Sequence, residues 1–202
     1  MSALAKSSLT AEEYLAWERK QEAKNEYWNG EVYAMAGASE RHNLVALNVG
    51  AELRTQVRGR GCRVYPGDMR IYIPATGLYT YADVTVVCGQ PQFTDREVDT
   101  LLNPTLIVEV LSRSTESYDR GKTFQNYRSL PSLAEYLMVD QESYSLEHYV
   151  RQSDHQWLLS EVRGLEGVLE LPTLGCTLAL AEIYAQVEFP LADLREYTQA
   201  SR

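Results

Sequence analysis

Three apolar runs in the middle of the chain constrain its fold more than any other feature. They cover residues 62–73, 82–88 and 105–111 and are rich in valine, isoleucine and leucine. Short apolar runs with many β-branched residues are typical of strands. We therefore expect the three runs to form the centre of a β-sheet.

The segments around these runs predict helices and further strands. Thr10 and Glu13 have the spacing of a capping box for a short helix, and Asn29-Gly30 is a strong hairpin signal. Apolar residues at helical intervals predict a long helix over residues 39–57. We expect a second long helix at 114–130, strands at 135–139, 144–150, 156–162 and 168–171, and a last helix at 179–187.

This order of elements is that of an α/β (α+β) protein with a mixed sheet flanked by helices. An N-terminal helix and hairpin precede the central strands, and a β extension follows them. A chain of 202 residues without repeats or a linker is expected to form one domain, here residues 1–202 with a core at about 9–184.

The charge balance limits the modes of nucleic-acid binding. A formal net charge of −9 argues against a protein that coats nucleic acid without specificity, because that function needs a basic surface. It does not exclude a nuclease, since a bound metal ion adds positive charge where the phosphate lies.

The apolar and cysteine patterns disfavour several further classes of protein. No run of about 18 apolar residues is present, and residues 1–6 lack the apolar stretch of a signal peptide, so we expect a cytoplasmic protein. Cys62, Cys88 and Cys176 are far apart and lack the spacing of zinc or redox motifs. We expect all three to be buried as small hydrophobic residues.

Two acidic residues interrupt strands that are otherwise apolar. Asp83 precedes Val-Thr-Val-Val, and Glu109 lies within Leu-Ile-Val-Glu-Val-Leu. A buried carboxylate needs a cation, hydrogen bonds or a metal, or it is neutralised by a shift of its pKa. If the two strands are neighbours, both carboxylates can lie on one face, where a divalent cation relieves their repulsion. Oxygen ligands suit Mg²⁺ or Mn²⁺, so we predict a metal site at Asp83 and Glu109.

A cation beside the carboxylates would complete a hydrolytic site, and Lys122 is the candidate. Its helix follows Glu109 directly, so its ammonium can reach back over the end of the sheet. Structural roles remain open as alternatives: a solvated helix lysine for Lys122, a strand-edge acid for Asp83, and a buried pair with an arginine for Glu109.

These residues together resemble a known family. The resemblance is to the Uma-type restriction endonucleases over residues 9–184, and it is carried by residues 26–35, Ala82-Asp83-Val84, Pro104 to Ser112, Asp119 to Lys122, Tyr127 and residues 136–140. It implies a restriction-endonuclease-like core and Mg²⁺-dependent hydrolysis of phosphodiester bonds in DNA. It also implies that Asp83 and Glu109 are the two acids of the superfamily motif.

Several positions extend or depart from that pattern. Ala82 stands where the superfamily has proline, and Leu111 stands where it usually has lysine, so Lys122 would supply the lysine from the following helix. Glu31 and His42 match recurring positions in the N-terminal part of the family. Glu31 could be a third metal ligand or a hairpin-flank acid, and His42 could bind phosphate, transfer protons or cap a helix.

Two functions of different classes follow. The first is a metal-dependent DNA endonuclease with Asp83, Glu109, Lys122, Glu31 and His42 as its site residues, working as a homodimer as the superfamily often does. The second is a nuclease-fold binding or regulatory protein that lacks catalysis and also acts as a homodimer. The position of Lys122 relative to the two carboxylates discriminates between them.

Overall fold

The computed structural model describes residues 3–4, 8–112, 119–153 and 155–189. Within them, the helices are α1 (Ala11–Glu18), α2 (Glu40–Val57), α3 (Phe124–Tyr127), which continues a π-helical turn at Asp119–Thr123, and α4 (Leu180–Ile183). The strands are β1 (Ala3–Leu4), β2 (Asn25–Trp28), β3 (Glu31–Ala34), β4 (Cys62–Pro66), β5 (Arg70–Ile73), β6 (Leu78–Tyr81), β7 (Val84–Cys88), β8 (Thr100–Leu101), β9 (Leu106–Leu111), β10 (Glu135–Asp140), β11 (Ser145–Ser153), β12 (Gln156–Arg163), β13 (Val168–Leu171) and β14 (Cys176–Ala179). No helix in these ranges is long and apolar enough to cross a membrane.

The strands form two six-stranded sheets and a separate β13–β14 pair. The first sheet has the order β1-β3-β2-β6-β5-β8, and the second has the order β12-β11-β10-β9-β7-β4. Each sheet contains one parallel pair, β5 with β8 and β9 with β10, among antiparallel pairs. The fold is therefore α+β, with mixed sheets flanked by helices, as the order of predicted elements indicated.

Helix α2 covers one face of the second sheet. Ser39 caps it by accepting a hydrogen bond of 3.1 Å from the backbone N–H of His42. Its buried residues recur every four positions and pack into one cluster with Val84 and Val108 of the sheet; they are Val45, Val49, Leu53 and Val57. The opposite face of the sheet packs against α3 through Phe124 and Tyr127. Strand β9 is therefore buried on both faces.

Local signals near the N-terminus predict the observed structure well. Thr10 and Glu13 form the capping box of α1, with backbone to side-chain hydrogen bonds of 2.8 and 3.2 Å. The β2–β3 hairpin turns at Asn29 and Gly30, whose φ angles are 51° and 87°. Both residues tolerate the left-handed region that this tight turn requires.

The run at residues 62–73 is two strands rather than one, which corrects the sequence prediction. The backbone N–H of Met69 bonds to the carbonyl of Pro66 at 3.1 Å, and this turn separates β4 in the second sheet from β5 in the first. The segment that pairs with this run is also divided, into β6 in the first sheet and β7 in the second. Residues 67–69 therefore lie opposite residues 82–83 in a bulge. Consequently β4 is an edge strand, and the three runs do not all lie at the centre of one sheet.

The expectation that all three cysteines are isolated and buried is wrong for two of them. Cys62 and Cys88 are directly opposite each other in the β4–β7 ladder and form a disulfide. They are separated by 26 positions in the chain, so the pairing depends on strand register, which local spacing does not reveal. Cys176 is free and buried, as predicted.

Two predicted helices differ from the structure in extent. The last helix covers Leu180–Ile183 instead of residues 179–187, and Gln186 has a φ angle of 63°, which no α-helix accommodates. Of the helix predicted at 114–130, residues 114–118 lie outside the described part of the chain, and regular structure continues only to Tyr127.

Candidate active site

Asp83 and Glu109 occupy facing positions on neighbouring strands. Val84 of β7 pairs with Val108 of β9 at the end of their antiparallel ladder, and the next residues outward are Asp83 and Glu109. The backbone N–H of Val110 donates a hydrogen bond of 2.7 Å to Oδ2 of Asp83, which ties this carboxylate to β9. Asp83 lies where the chain passes from the first sheet to the second, so the site is located at their junction.

Glu109 is buried and is oriented by Tyr127. Its side chain lies on the α3 face of the second sheet, where the Tyr127 hydroxyl donates a hydrogen bond of 2.8 Å to Oε1. Burial, and then the negative charge of Glu109, raises the pKa of Tyr127 well above its ordinary value. Tyr127 therefore keeps its proton and remains a donor to the carboxylate.

His42 reaches the site from the opposite face of the sheet. It lies in the first turn of α2, and its Nε2 is 3.3 Å from Oδ2 of Asp83. The residue that caps α2 is Ser39, so helix capping is not the role of the His42 side chain. The structure thus places His42 beside Asp83. Glu109 follows Val108 at the adjacent position of β9, with its side chain on the α3 face.

Lys122 and Glu31 lie beside Trp28. The ammonium of Lys122 is 3.9 Å from the centre of the Trp28 ring, and the lysine side chain is otherwise exposed. Glu31 is opposite Trp28 in the β2–β3 ladder, so the two side chains share a face of the hairpin, and Glu31 accepts a hydrogen bond from the Tyr33 hydroxyl. No described contact joins Lys122 or Glu31 to Asp83 or Glu109.

Asp83 and Glu109 carry carboxylate oxygens, the type of ligand that a hard divalent cation prefers. Mg²⁺ is commonly held by one or two carboxylates and keeps several water ligands. Within the described residues, no group of three or more histidine, cysteine, aspartate or glutamate side chains is arranged to hold a metal. By the chemistry of their donor atoms Asp83 and Glu109 suit such a cation, and the described residues form no closed cage of protein ligands.

A comparison with protein families matches most of this chain. A model of the Uma2 family, described as "Putative restriction endonuclease", matches residues 11–181. The chain belongs to the Uma2 family. The matched residues include strands β2 to β14, the junction between the two sheets and the helix that carries Tyr127.

Relatives of this Uma2 chain occur in a cyanobacterium. Two uncharacterized proteins of Synechocystis sp., sll1609 and slr1290, are 40% and 37% identical to it over 162 and 182 residues. These alignments cover 80% and 90% of this chain and 92% and 94% of the relatives. The likeness therefore extends over nearly the whole of each relative.

A solved structure has the same fold. It is the crystal structure of a protein from Anabaena variabilis described as a putative nuclease belonging to DUF820. The TM-score is 0.71 at 13% identity, and the match covers 89% of this chain and 99% of the other. The Uma2 chain described here thus has the fold of that nuclease-like protein.

Three further residues of this Uma2 site carried no role in the sequence prediction. Tyr127 was part of the family pattern only. Glu26 is buried on β2, accepts a hydrogen bond from the Thr80 hydroxyl, and contributes to the raised pKa of Tyr127. An acid with apolar residues on both sides is the signal that pointed to Glu109, and Glu26 lacks it because Asn25 precedes it.

The sequence around Lys24 also gave no signal of a role at the site. It precedes β2 in a polar segment, and its position depends on the bulge between the sheets. Its ammonium donates a hydrogen bond of 3.0 Å to the carbonyl of Gly67, opposite residues 82–83, and lines the same cleft as Asp83 and His42. Only the folded hairpin brings this lysine near the candidate site.

Proposed function

We propose that this chain is a metal-dependent nuclease that hydrolyses phosphodiester bonds in DNA. The observation that carries the proposal is the placement of Asp83 and Glu109 at adjacent backbone positions, just beyond the β7–β9 ladder and at the junction of the two sheets. Membership of a family described as restriction endonucleases, together with a nuclease-like fold, supports the choice of reaction.

In this proposal Asp83 and Glu109 would hold Mg²⁺ or Mn²⁺ through their carboxylate oxygens. The bound ion would stabilise charge on the scissile phosphate and lower the pKa of a bound water. Tyr127 would keep the Glu109 carboxylate in one orientation through its hydrogen bond. The backbone N–H of Val110 would do the same for Asp83.

Two nitrogen-containing side chains would act on the phosphate or on its protons. His42, with Nε2 beside Asp83, is placed to bind a phosphate oxygen or to transfer a proton. Lys122 would assist from the Trp28 side, where its exposed ammonium can move toward a bound phosphate. Glu31 would act beside Trp28 rather than beside Asp83.

The deciding experiment measures cleavage of supercoiled and linear DNA in Mg²⁺, in Mn²⁺ and in EDTA. We expect cutting that requires the metal and is lost in Asp83→Asn and Glu109→Gln, which preserve side-chain size and remove charge. Calorimetry of the same variants should show weaker binding of Mn²⁺.

Glu135→Gln is the matched control for these variants. Glu135 is a fully buried carboxylate on neighbouring strand β10, and it is bonded to His148 at 2.6 Å, outside the candidate site. If the control fails to fold by circular dichroism, Glu161→Gln on β12 replaces it. Cutting that persists in EDTA, or in a folded Glu109→Gln variant, would contradict the proposed site.

A second candidate function is a nuclease-fold binding protein without catalysis. The observation that favours it is the contact of Lys122 with Trp28, which holds the ammonium against a ring in the resting structure. On this alternative, Mn²⁺ binding is lost in Glu109→Gln while the wild-type protein cuts no DNA in either metal.

We also propose that the chain works as a homodimer. Outer strand β12 of the second sheet supports this, because Leu158 and Leu159 on it are 58% and 45% exposed. Exposed apolar side chains on an edge strand are typical of a surface that pairs with another chain.

A further inference from the structure

A cleft of about 560 Å³ opens beside Asp83 and runs between α2 and edge strand β4. Its α2 wall contains Ala46, Leu47 and Ala51, and Val64 contributes to the β4 side. Leu47 is 67% exposed, so the wall presents apolar surface to whatever enters. His42 and Lys24 lie at the Asp83 end of this cleft.

The other end of the cleft is basic. Residues 53–67 contain four arginines and no acid, in a chain whose net charge is −9. Arg54 lines the cleft, and Arg58, four positions later, is the C-cap residue of α2 and lies outside the lining. Within the described residues, neither arginine forms an ion pair with a carboxylate. Their charges are therefore available to an anion.

The length of the cleft fits a chain of phosphates. His42 and Arg54 are twelve positions apart on one helix, a distance of about 18 Å at about 1.5 Å per residue. Successive phosphates of one strand advance by about 3.4 Å when the bases are stacked as in a duplex, and by more when they are unstacked, so a few phosphates fit between the two side chains.

The volume of the cleft suits an unpaired segment better than a duplex. A cavity of this volume encloses a ligand of drug size, whereas the major groove of a duplex is itself wide enough for an α-helix. Apolar walls also suit base faces and sugars that become accessible in an unpaired strand. Tyr65 adds an aromatic ring to the lining, as is common in single-strand sites.

We propose that this cleft binds a single-stranded segment of nucleic acid next to the scissile phosphate. Arg54 and Arg58 would bind its phosphates, and the wall formed by Leu47 and Ala51 would contact its bases. The inference rests on the proposed nuclease function, and it names the substrate class as DNA with an unpaired segment beside the cut.

The test measures binding by fluorescence anisotropy in EDTA, so that no cleavage is needed. The probe is a labelled oligothymidylate of about 12 nucleotides, compared with a blunt duplex of the same length. We expect the single strand to bind about tenfold more tightly than the duplex. The Arg54→Ala/Arg58→Ala variant should bind the single strand about tenfold more weakly and reduce the salt slope by about 1.4, because each lost phosphate contact removes about 0.7.

Two further variants separate the cleft from general electrostatics. Ala51→Trp places a large ring in the cleft at an exposed helix position, and it should weaken single-strand binding without changing the salt slope. Arg63→Ala is the matched control, because Arg63 is an exposed arginine of β4 that does not line the cleft. Equal affinity in all variants, or equal affinity for single strand and duplex, would overturn the inference.

These experiments can refute the inferred single-strand binding and the proposed nuclease function independently of each other. If the wild-type protein cuts DNA in Mg²⁺ but the affinity for single strand is the same in the cleft variants as in the wild type, the proposed function stands and the inference is overturned. If the cleft variants lose single-strand binding and no DNA is cut in either metal, the cleft binds nucleic acid as inferred and the nuclease proposal fails.

Discussion

The Tyr127 hydroxyl donates a hydrogen bond of 2.8 Å to the buried carboxylate of Glu109. Because a hydrogen bond to a carboxylate orients it for a metal, we expect Tyr127→Phe to raise the Mg²⁺ concentration for half-maximal cleavage by about tenfold. The rate at saturating Mg²⁺ should change much less. The measurement is the cleavage rate over a series of Mg²⁺ concentrations.

Tyr136→Phe is the control for this prediction. Its ring is fully buried and lies 5.7 Å from that of Tyr127, centre to centre. We expect its Mg²⁺ dependence to match the wild type. An unchanged Mg²⁺ dependence in Tyr127→Phe would show that the hydrogen bond does not tune the site.

Lys122→Met tests the role of the exposed ammonium over Trp28. If Lys122 stabilises charge on the phosphate, the variant should cut DNA about 100-fold more slowly while its Mn²⁺ affinity is kept. Lys20→Met, which removes another exposed lysine just after α1, is the control. Wild-type rates in Lys122→Met would remove Lys122 from the catalytic set.

The Cys62–Cys88 disulfide joins edge strand β4 to β7 and closes a segment of 26 positions. We expect Cys62→Ser/Cys88→Ser to lower the free energy of unfolding by about 3 kcal/mol, because the unfolded chain regains freedom. Urea unfolding, with and without reductant, measures this change. Cys176→Ser is the control, and three titratable thiols in the unreduced, denatured wild-type protein would contradict the disulfide.

Asp99 links α1 to the loop before β8. Arg19 donates hydrogen bonds of 2.8 and 3.0 Å to its two carboxylate oxygens, and this pairing lowers the pKa of Asp99 below its ordinary value. A lowered folded-state pKa stabilises the protein above the unfolded pKa of about 3.9, and that contribution is lost as the pH falls through the folded value.

Asp99→Asn should therefore be less stable than the wild type by about 1 kcal/mol or less near neutral pH, since the pair is partly exposed. The difference should shrink as the pH falls below about 4. Urea unfolding at a series of pH values measures it, with Glu97→Gln in the same loop as the control. A difference that stays constant at acid pH would rule out this ion pair as its source.

The exposed leucines of β12 give a test of the homodimer. We expect the wild-type protein to sediment as a dimer, and Leu158→Glu/Leu159→Glu as a monomer, because charge on an edge strand opposes pairing. Leu165→Glu introduces the same charge at another exposed leucine outside β12 and should remain a dimer. A monomeric wild type would contradict the proposal.

Local chemistry in the sequence predicted the elements whose formation depends on neighbouring residues. The capping box at Thr10, the turn at Asn29-Gly30 and the apolar period of α2 were confirmed for this reason. The acid within the apolar run at Glu109 was also visible, because a charge is costly at a position that the pattern predicts to be buried.

Only the tertiary structure decided which distant residues meet. The bulge opposite residues 82–83 divides one long hairpin between two sheets and places Asp83 at their junction. Strand register brings Asp83 opposite Glu109 and Cys62 opposite Cys88, and helix packing brings Tyr127 and His42 to the two sides of the site. Register and packing depend on the whole pattern of buried faces, so the sequence determined the kinds of residues at this site and the fold determined their partners.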